Sequence, residues 1–376
     1  DIHRPGSVVL AVTPKLKQDF GVQTGSRLFQ IPKDPRIHIV NAQMALYLDQ
    51  SAEIAKFLTS YVPFESLHIY SVDECFLQAD GTERLWGPAR TLAEKIKAGM
   101  LEKYGLTCAI GIGPNMLMAK LCLDLEAKHT GIAEWNYEQI ETKLWPRKIK
   151  EMWGIGSRLE KRLNRLGIRT VGHLANYDLK KLEKEFGIIG NQLYYHAWGI
   201  DLSEIGAPIM NGQISFGKGQ ILMRDYKNIE EICTVILEMC EEVARRARKA
   251  KKAARTVSLG LGYSKNEKKS GFYRSVSLDV PTNLTMEVYE ACLYLLKKHY
   301  RGEIVRKVTI TLSNVCDDDE VQLNLLKPDL LKQKRLSYAM DEIRDKYGSS
   351  ALLRAVSYTK GGTARERSAL IGGHKA

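Results

Sequence analysis

The spacing of apolar side chains divides the chain into short helical and strand-like stretches. Val8, Val9, Leu10 and Val12 predict a strand over residues 6–12, closed by Pro14. Met44, Leu48, Ile54, Phe57 and Leu58 recur at helical intervals and predict a helix within 41–61. A β-α-β unit is expected next: a strand over 67–76, a helix over 88–104 with Leu92, Ile96 and Met100 inward, and a strand over 107–112. Helical spacing resumes from 115 to 128 and stops at Gly131, and from 138 to 206 glycines break a run of short helices. Beyond Pro208 the style changes. A long amphipathic helix over 230–252 is followed by strands over 256–263 and 272–278, a helix over 286–299 and a strand over 305–312 with Val308, Ile310 and Leu312 on one face. Helices mixed with antiparallel-looking strands predict an α+β domain of roughly 100 residues. A helix near 336–347 and a glycine-rich basic end complete the chain.

With 376 residues the chain exceeds one ordinary domain, and at roughly 100–200 residues each, two to four are expected. Hydrophobic residues at 44% suffice for real cores. The 56 Lys and Arg outnumber 44 Asp and Glu, for a net charge of +12. That surplus favours a polyanionic partner, nucleic acid or an acidic membrane surface. No window approaches the ~18 uninterrupted apolar residues of a membrane span, and residues 1–5 lack the basic-then-apolar pattern of a signal peptide. The 7 cysteines are scattered and never spaced as CxxC. Neither a disulfide framework nor a zinc site is expected, and a reducing cytoplasm is the natural setting. The first residue is not Met, and an upstream segment is expected.

Five stretches carry candidate chemistry. Asp73 and Glu74 are adjacent within an apolar context, where ionised groups are costly unless paired or metal-bound. In a regular strand they would point to opposite faces; at the tip of a tight hairpin they converge, as oxygen ligands suited to Mg²⁺. An ordinary acidic turn has the same sequence. Further on, a Gly111-Ile112-Gly113-Pro114 turn leads into a helix on which Lys120, Asp124 and Lys128 share one face. A lysine there meets a triphosphate as a point charge, although a solvated face reads alike, and no P-loop pattern is present. In Gly154-Ile155-Gly156-Ser157, glycines precede a Ser157–Glu160 capping box, so a helix should begin at Ser157 with Leu159, Leu163 and Leu166 buried. A Gly-Ile-Gly turn feeding a helix N-terminus is the layout of a helix-hairpin-helix, which grips DNA phosphates. The basic run Arg245, Arg246, Arg248, Lys249, Lys251, Lys252 and Arg255, continued by Lys265, Lys268, Lys269 and Arg274, suits sequence-neutral phosphate binding or a solvated face. Lastly, Gln322, Leu323, Leu325 and Leu326 could plug an apolar groove on a partner. The tryptophans are most simply core aromatics.

In this order the motifs resemble the Y-family (DinB/UmuC/ImpB/MucB-type) translesion DNA polymerases, along essentially the whole chain. The resemblance implies a multidomain α+β right hand: fingers and the end of the first palm strand in 1–45, a ferredoxin-like palm in 46–135, a helix-hairpin-helix thumb in 136–207, a linker in 208–219, a little-finger domain in 220–320, and a clamp-binding peptide, helix and basic tail in 321–376. Ser71-Val72-Asp73-Glu74-Cys75-Phe76 is similar to the palm motif whose two acids hold catalytic metal, two Mg²⁺ ions. By the same match Lys128 touches the incoming dNTP, Gly154, Gly156 and Ser157 form the thumb hairpin on DNA, and Arg245, Arg248, Arg255 and Arg274 belong to the little finger's DNA surface. Gln322 to Leu326 resembles the bacterial sliding-clamp (β subunit) peptide, with Leu326 where an aromatic is usual.

Two departures stand out. The family's first catalytic Asp lies in an Asp-x-[Asp/Lys]-Ser-Phe-[Tyr/Phe]-Ala pattern that is not found here, and Asp1 has the wrong neighbours to replace it. The chain is therefore expected to begin after that strand. In the fingers, the usual Tyr and Arg fall on Lys15 and Gln18, leaving Lys15 as the candidate triphosphate contact, with Lys17 behind it. The resemblance implies an error-prone polymerase adding dNTPs to a primer 3′-hydroxyl in DNA repair and the SOS response. Its implied partners are primer–template DNA, dNTP, the clamp and damage-response accessory proteins, with no membrane. The rival expectation is a DNA-binding, clamp-recruited module without catalysis, because the first Asp is absent. A helix-hairpin-helix nuclease is weaker, since no second acidic cluster of nuclease type occurs.

Overall fold

The computed structural model describes residues 6–206, 215–318, 329–371 and 374–375. The chain divides into two compact units, one of residues 46–208 and one of residues 1–45 with 209–376. Asp1 and Gln322 to Leu326 lie outside the described residues.

Helix α1 (Pro14–Phe20) is capped by Thr13 and ended by Gly21 in the left-handed region, φ 66°. The strand expected over 6–12 does not form. Val8 makes one isolated bridge to Arg27 and Val9 N–H bonds Ser26 O at 2.9 Å, while Val8 and Leu10 stay about two-fifths exposed. Its alternation finds no sheet to join, and local pattern alone does not sustain a strand.

The unit of 46–208 opens with α2 (Met44–Leu58), then β1 (Leu67–Ile69) and β2 (Cys75–Leu77), which pair antiparallel with Leu67 opposite Leu77. The single strand expected over 67–76 is thus a hairpin. Next come α3 (Glu83–Trp86), α4 (Ala89–Tyr104), β3 (Ile110–Ile112), α5 (Met116–Cys122), a π-turn (Leu123–Ala127), α6 (Lys128–Thr130) and β4 (Ile132–Glu134). The parallel β-α-β unit is β3–α5–β4, not the expected pairing of 67–76 with 107–112 around α4. Leu92, Ile96 and Met100 of α4 pack with Leu58 and Leu67 in one core. Helix α5 lies close on β3 because Gly111 and Gly113 bring no side chain: a Cβ there would sit 2.4 Å from Ala119 O and 2.6 Å from Ala119 N.

Helices α7 (Ser157–Arg165), α8 (Val171–Ala175), α9 (Leu179–Phe186) and α10 (Ile188–Ala197) follow. Their apolar stripes close over Leu117, Met118 and Leu121 of α5, so one continuous core runs from α5 to Ala197. Asn115 caps α5 through Met118 N–H at 2.9 Å and donates to Gly199 O at 2.7 Å, while Asp201 accepts from Leu117 N–H at 3.2 Å. The start of α5 is thereby tied to the end of the four-helix segment.

In the C-terminal region β5 (Ser215–Tyr226), α11 (Ile229–Lys249), β6 (Lys252–Tyr263), β7 (Gly271–Thr282), α12 (Thr285–His299) and β8 (Val305–Asp317) build an antiparallel sheet of order β5-β8-β6-β7. β5 begins inside the span expected to be linker. Phe216, Leu312, Val257 and Val276 form one cross-strand row beneath α11 and α12. The adjacent row, Gly217, Thr311, Ser258 and Ser275, faces the other way and is small and hydroxylated. Helices α13 (Leu330–Tyr347) and α14 (Ala364–Ser368) and a short antiparallel pair, β9 (Leu370–Ile371) and β10 (His374–Lys375), complete the described region. The basic end is not a free tail: Thr363 donates through N–H and Oγ1 to Glu238 of α11 at 2.9 and 2.8 Å, and Arg367 pairs with Glu238 and Glu242.

Candidate active site

The β1–β2 connection places two carboxylates at a hairpin tip. Tyr70 and Ser71 N–H both donate to Glu74 O at 3.0 Å, which reverses the chain within five residues. Ser71 Oγ donates to Asp73 Oδ1 at 2.7 Å, holding an exposed Asp73 on the turn. Behind it, Tyr70 packs edge-on against Phe76 and Trp153, with ring centroids 5.8 and 5.7 Å away. Burial pushes the neighbouring Cys75 thiol up to about 11, so it is not a nucleophile at neutral pH.

Glu74 turns inward, where Lys120 Nζ meets its Oε1 at 2.7 Å. Lys120, only 9% exposed along its side chain, also lies 3.4 Å from Asp124 Oδ2, and Asp124 Oδ1 accepts from Lys128 Nζ at 2.6 Å. Four charges of alternating sign therefore run from the hairpin tip to an exposed lysine. Burial works against the Lys120 ammonium, but the two carboxylates outweigh it and its pKa is raised. The π-turn completes the line. Each four-residue step on an α-helix overshoots a full turn by about 40°; the wider turn, closed by Lys128 N–H on Leu123 O, swings Lys128 back over Asp124. Glu126 anchors that turn, accepting from Trp135 Nε1 at 2.7 Å and Lys143 Nζ at 3.0 Å, and these bonds hold its carboxyl below the usual range.

Asp73 and Glu74 are oxygen donors on one turn, a set that fits one hard divalent cation keeping most of its waters. Among the described residues no group of three or more His, Cys, Asp or Glu side chains is gathered for a metal. Asp124 and Lys120 belong to the site, and sequence reading assigned Lys120 no partner; its i, i+4 spacing to Asp124 was the only local signal.

Other expected residues fall elsewhere. Lys15 lies exposed on α1, in the other unit. Gly154 takes φ 90°, Ile155 is buried, and α7 begins at Ser157 as expected, but its N-cap is Gly156 and no side chain caps it, so the Ser157–Glu160 box does not form. The leading N–H groups of α7 are left without intrahelical acceptors. Arg248 is a correction. It is 2% exposed, bidentate to Asp341 at 2.6 and 3.0 Å and bonded to Asn283 O at 2.7 Å, and cannot reach a phosphate. Arg245 is largely taken up by Asp345. Arg255 and Arg274 remain exposed; Arg274 shares a row with Leu259 and Ile310 on the helix-covered side and reaches solvent because β7 is an edge strand.

Three family models match the chain: the impB/mucB/samB family over residues 2–124, the DNA polymerase-iota thumb domain over 150–201, and the impB/mucB/samB family C-terminal domain over 213–325. The "Putative UV-damage repair protein UvrX" of Bacillus subtilis is 57% identical over 376 residues, covering 99% of this chain and 89% of that one. The chain belongs to the impB/mucB/samB family. A second relative within reach of the whole chain, DNA polymerase IV 2 of Bacillus subtilis, is 39% identical over 378 residues, with 100% of this chain and 91% of that one covered. As a member of this group the protein is a Y-family DNA-directed DNA polymerase. A Y-family DNA polymerase chimera of Dbh and Dpo4 shares the fold at a TM-score of 0.63 and 22% identity, over 80% of this chain and 85% of that one. No helix among the described residues is long and apolar enough to cross a membrane.

Proposed function

We propose that the protein extends a DNA primer past damaged template bases, by Mg²⁺-assisted transfer of a nucleotide to the primer 3′-hydroxyl. The observation that carries this reading is the continuous run from Asp73 and Glu74 through Lys120 and Asp124 to Lys128. It sets carboxylates for a cation and an ammonium for a phosphate on one small region. A bound divalent cation would ease deprotonation of the 3′-hydroxyl and offset charge on the departing pyrophosphate. Among the described residues Asp73 pairs with no cation and holds the accessible carboxylate; Glu74 supplies the second. Lys128 donates to the triphosphate as a point charge, and Lys15 on α1 is assigned to nucleotide binding in its own right.

DNA contacts follow from exposure. The uncapped start of α7 at Gly154, Gly156 and Ser157 offers amides to a backbone phosphate, with Arg158, Lys161 and Arg165 exposed on the same helix. Arg255 and Arg274 from the sheet strands, with part of Arg245 from α11, supply charge; the sheet's separate small-residue face lets a bulky partner approach the strands closely. We assign the protein to the cytoplasmic DNA-damage (SOS) response with accessory proteins, and assign Gln322, Leu323, Leu325 and Leu326 to docking on a sliding clamp. Gln322→Ala with Leu325→Ala should erase clamp-stimulated synthesis and spare basal synthesis.

Primer extension with Mg²⁺ and dNTPs tests the central claim. Asp73→Ala should abolish extension while duplex binding persists; retained extension refutes the assignment. Duplex binding without any extension by the unaltered chain would favour the recruited, non-catalytic module.

A further inference from the structure

Lys120 is not explained by phosphate binding or by packing alone. Its ammonium is sealed beneath the hairpin, 2.7 Å from Glu74 Oε1 and 5.9 Å from the centre of the Tyr70 ring. A buried ammonium needs a counter-charge, yet the carboxylate it holds is one of only two at the hairpin tip. Its second carboxylate, Asp124, is shared: one oxygen faces Lys120 at 3.4 Å and the other Lys128 at 2.6 Å. Lys128 is the exposed end of the run, at 51%, and Glu74 the other accessible end, at 27%.

We propose that Lys120 is a placeholder cation: a positioning residue that occupies Glu74 until a metal ion takes its place, and that Asp124 links its release to anion capture by Lys128. When Lys128 turns from Asp124 to a phosphate, Asp124 is left with Lys120 alone. The longer of the two Asp124 contacts can then tighten, drawing the ammonium from Glu74 and freeing that carboxylate. Nucleotide and metal thus favour one another through four side chains, with no change of backbone. The inference rests on Glu74 being a metal ligand.

Mn²⁺ binding to the full chain without nucleotide or DNA, followed by the electron paramagnetic resonance signal of free Mn²⁺, tests it by a double-mutant cycle. Lys120→Met should tighten Mn²⁺ about tenfold by removing the competitor. Asp124→Asn should weaken it about threefold, since Lys120 then belongs wholly to Glu74, and should have no effect in the Lys120→Met background. Lys128→Gln, at an exposed position that does not endanger folding, should tighten Mn²⁺ about threefold. Unchanged affinity in Lys120→Met overturns the placeholder role, and unchanged affinity in Lys128→Gln overturns the link through Asp124. An Asp124→Asn effect that persists without Lys120 overturns the link, because Asp124 then acts by its own field. Glu74→Gln separates this failure from that of the underlying reading: if it leaves Mn²⁺ affinity untouched, Glu74 is no ligand.

Discussion

The run from Glu74 to Lys128 and the enclosed ion pairs that fasten α13 and α14 to α11 use the same residue types under different burial. In the first, the middle is sealed and the ends are open: Lys120 is 9% exposed, Lys128 51%. In the second, both partners are enclosed, Arg248 at 2% and Asp341 at 12%, and Glu238 at 2% beside Arg367. An enclosed pair is shut away from any incoming ligand, so its effect is to hold segments together. A run with open ends can exchange one partner for a ligand. Charge becomes function where burial stops short of completing it.

The largest break in that comparison comes from Arg248→Ala. It strands a buried Asp341 and should lower stability by about 3–5 kcal/mol, seen as an earlier denaturant midpoint. Lys128→Ala removes only an exposed i, i+4 pair, so stability should shift by less than about 0.5 kcal/mol. Its cost should instead appear as a rise of about tenfold in KM for dNTP with kcat little changed; a stability loss matching that of Arg248→Ala would erase the distinction.

Arg255→Ala and Arg274→Ala sharpen the contrast within one domain. Each should weaken duplex binding uniformly across sequences and make the salt dependence shallower by about one unit of slope. Destabilisation with an unchanged slope would place these arginines with Arg248.

The smallest effect is a pH dependence in the unit of 46–208. Burial holds the His196 imidazole below its ordinary value of 6.5, against the pull of Asp201. The unfolded chain therefore takes up this proton first, and stability contributed by the neutral ring is lost as pH falls below 6.5. Urea midpoints at neutral and mildly acidic pH should differ more for the parent than for His196→Gln.

Much of this was legible in the chain. The stripes of α4, α11 and α12 are periodic enough to state which side is buried, whereas the single strand expected over 67–76 turns back at Asp73 and Glu74. Gly154-Ile155-Gly156 marks the start of α7. What misled was also local: valines over 6–12 alternate like a strand but meet no sheet, and Arg248 sits in a basic run in which Arg246, Lys249 and Lys251 are exposed.

Helix faces, the acidic turn and glycine-bound helix ends were determined by the sequence itself, because each depends on side chains a few residues apart. The tertiary structure alone decided that Lys120 meets Glu74 across 46 residues, Arg248 meets Asp341 across 93, and Thr363 meets Glu238 across 125. A charged residue has the same composition in solvent or in a core; only the arrangement of distant segments settles whether its charge is used up or left for a ligand.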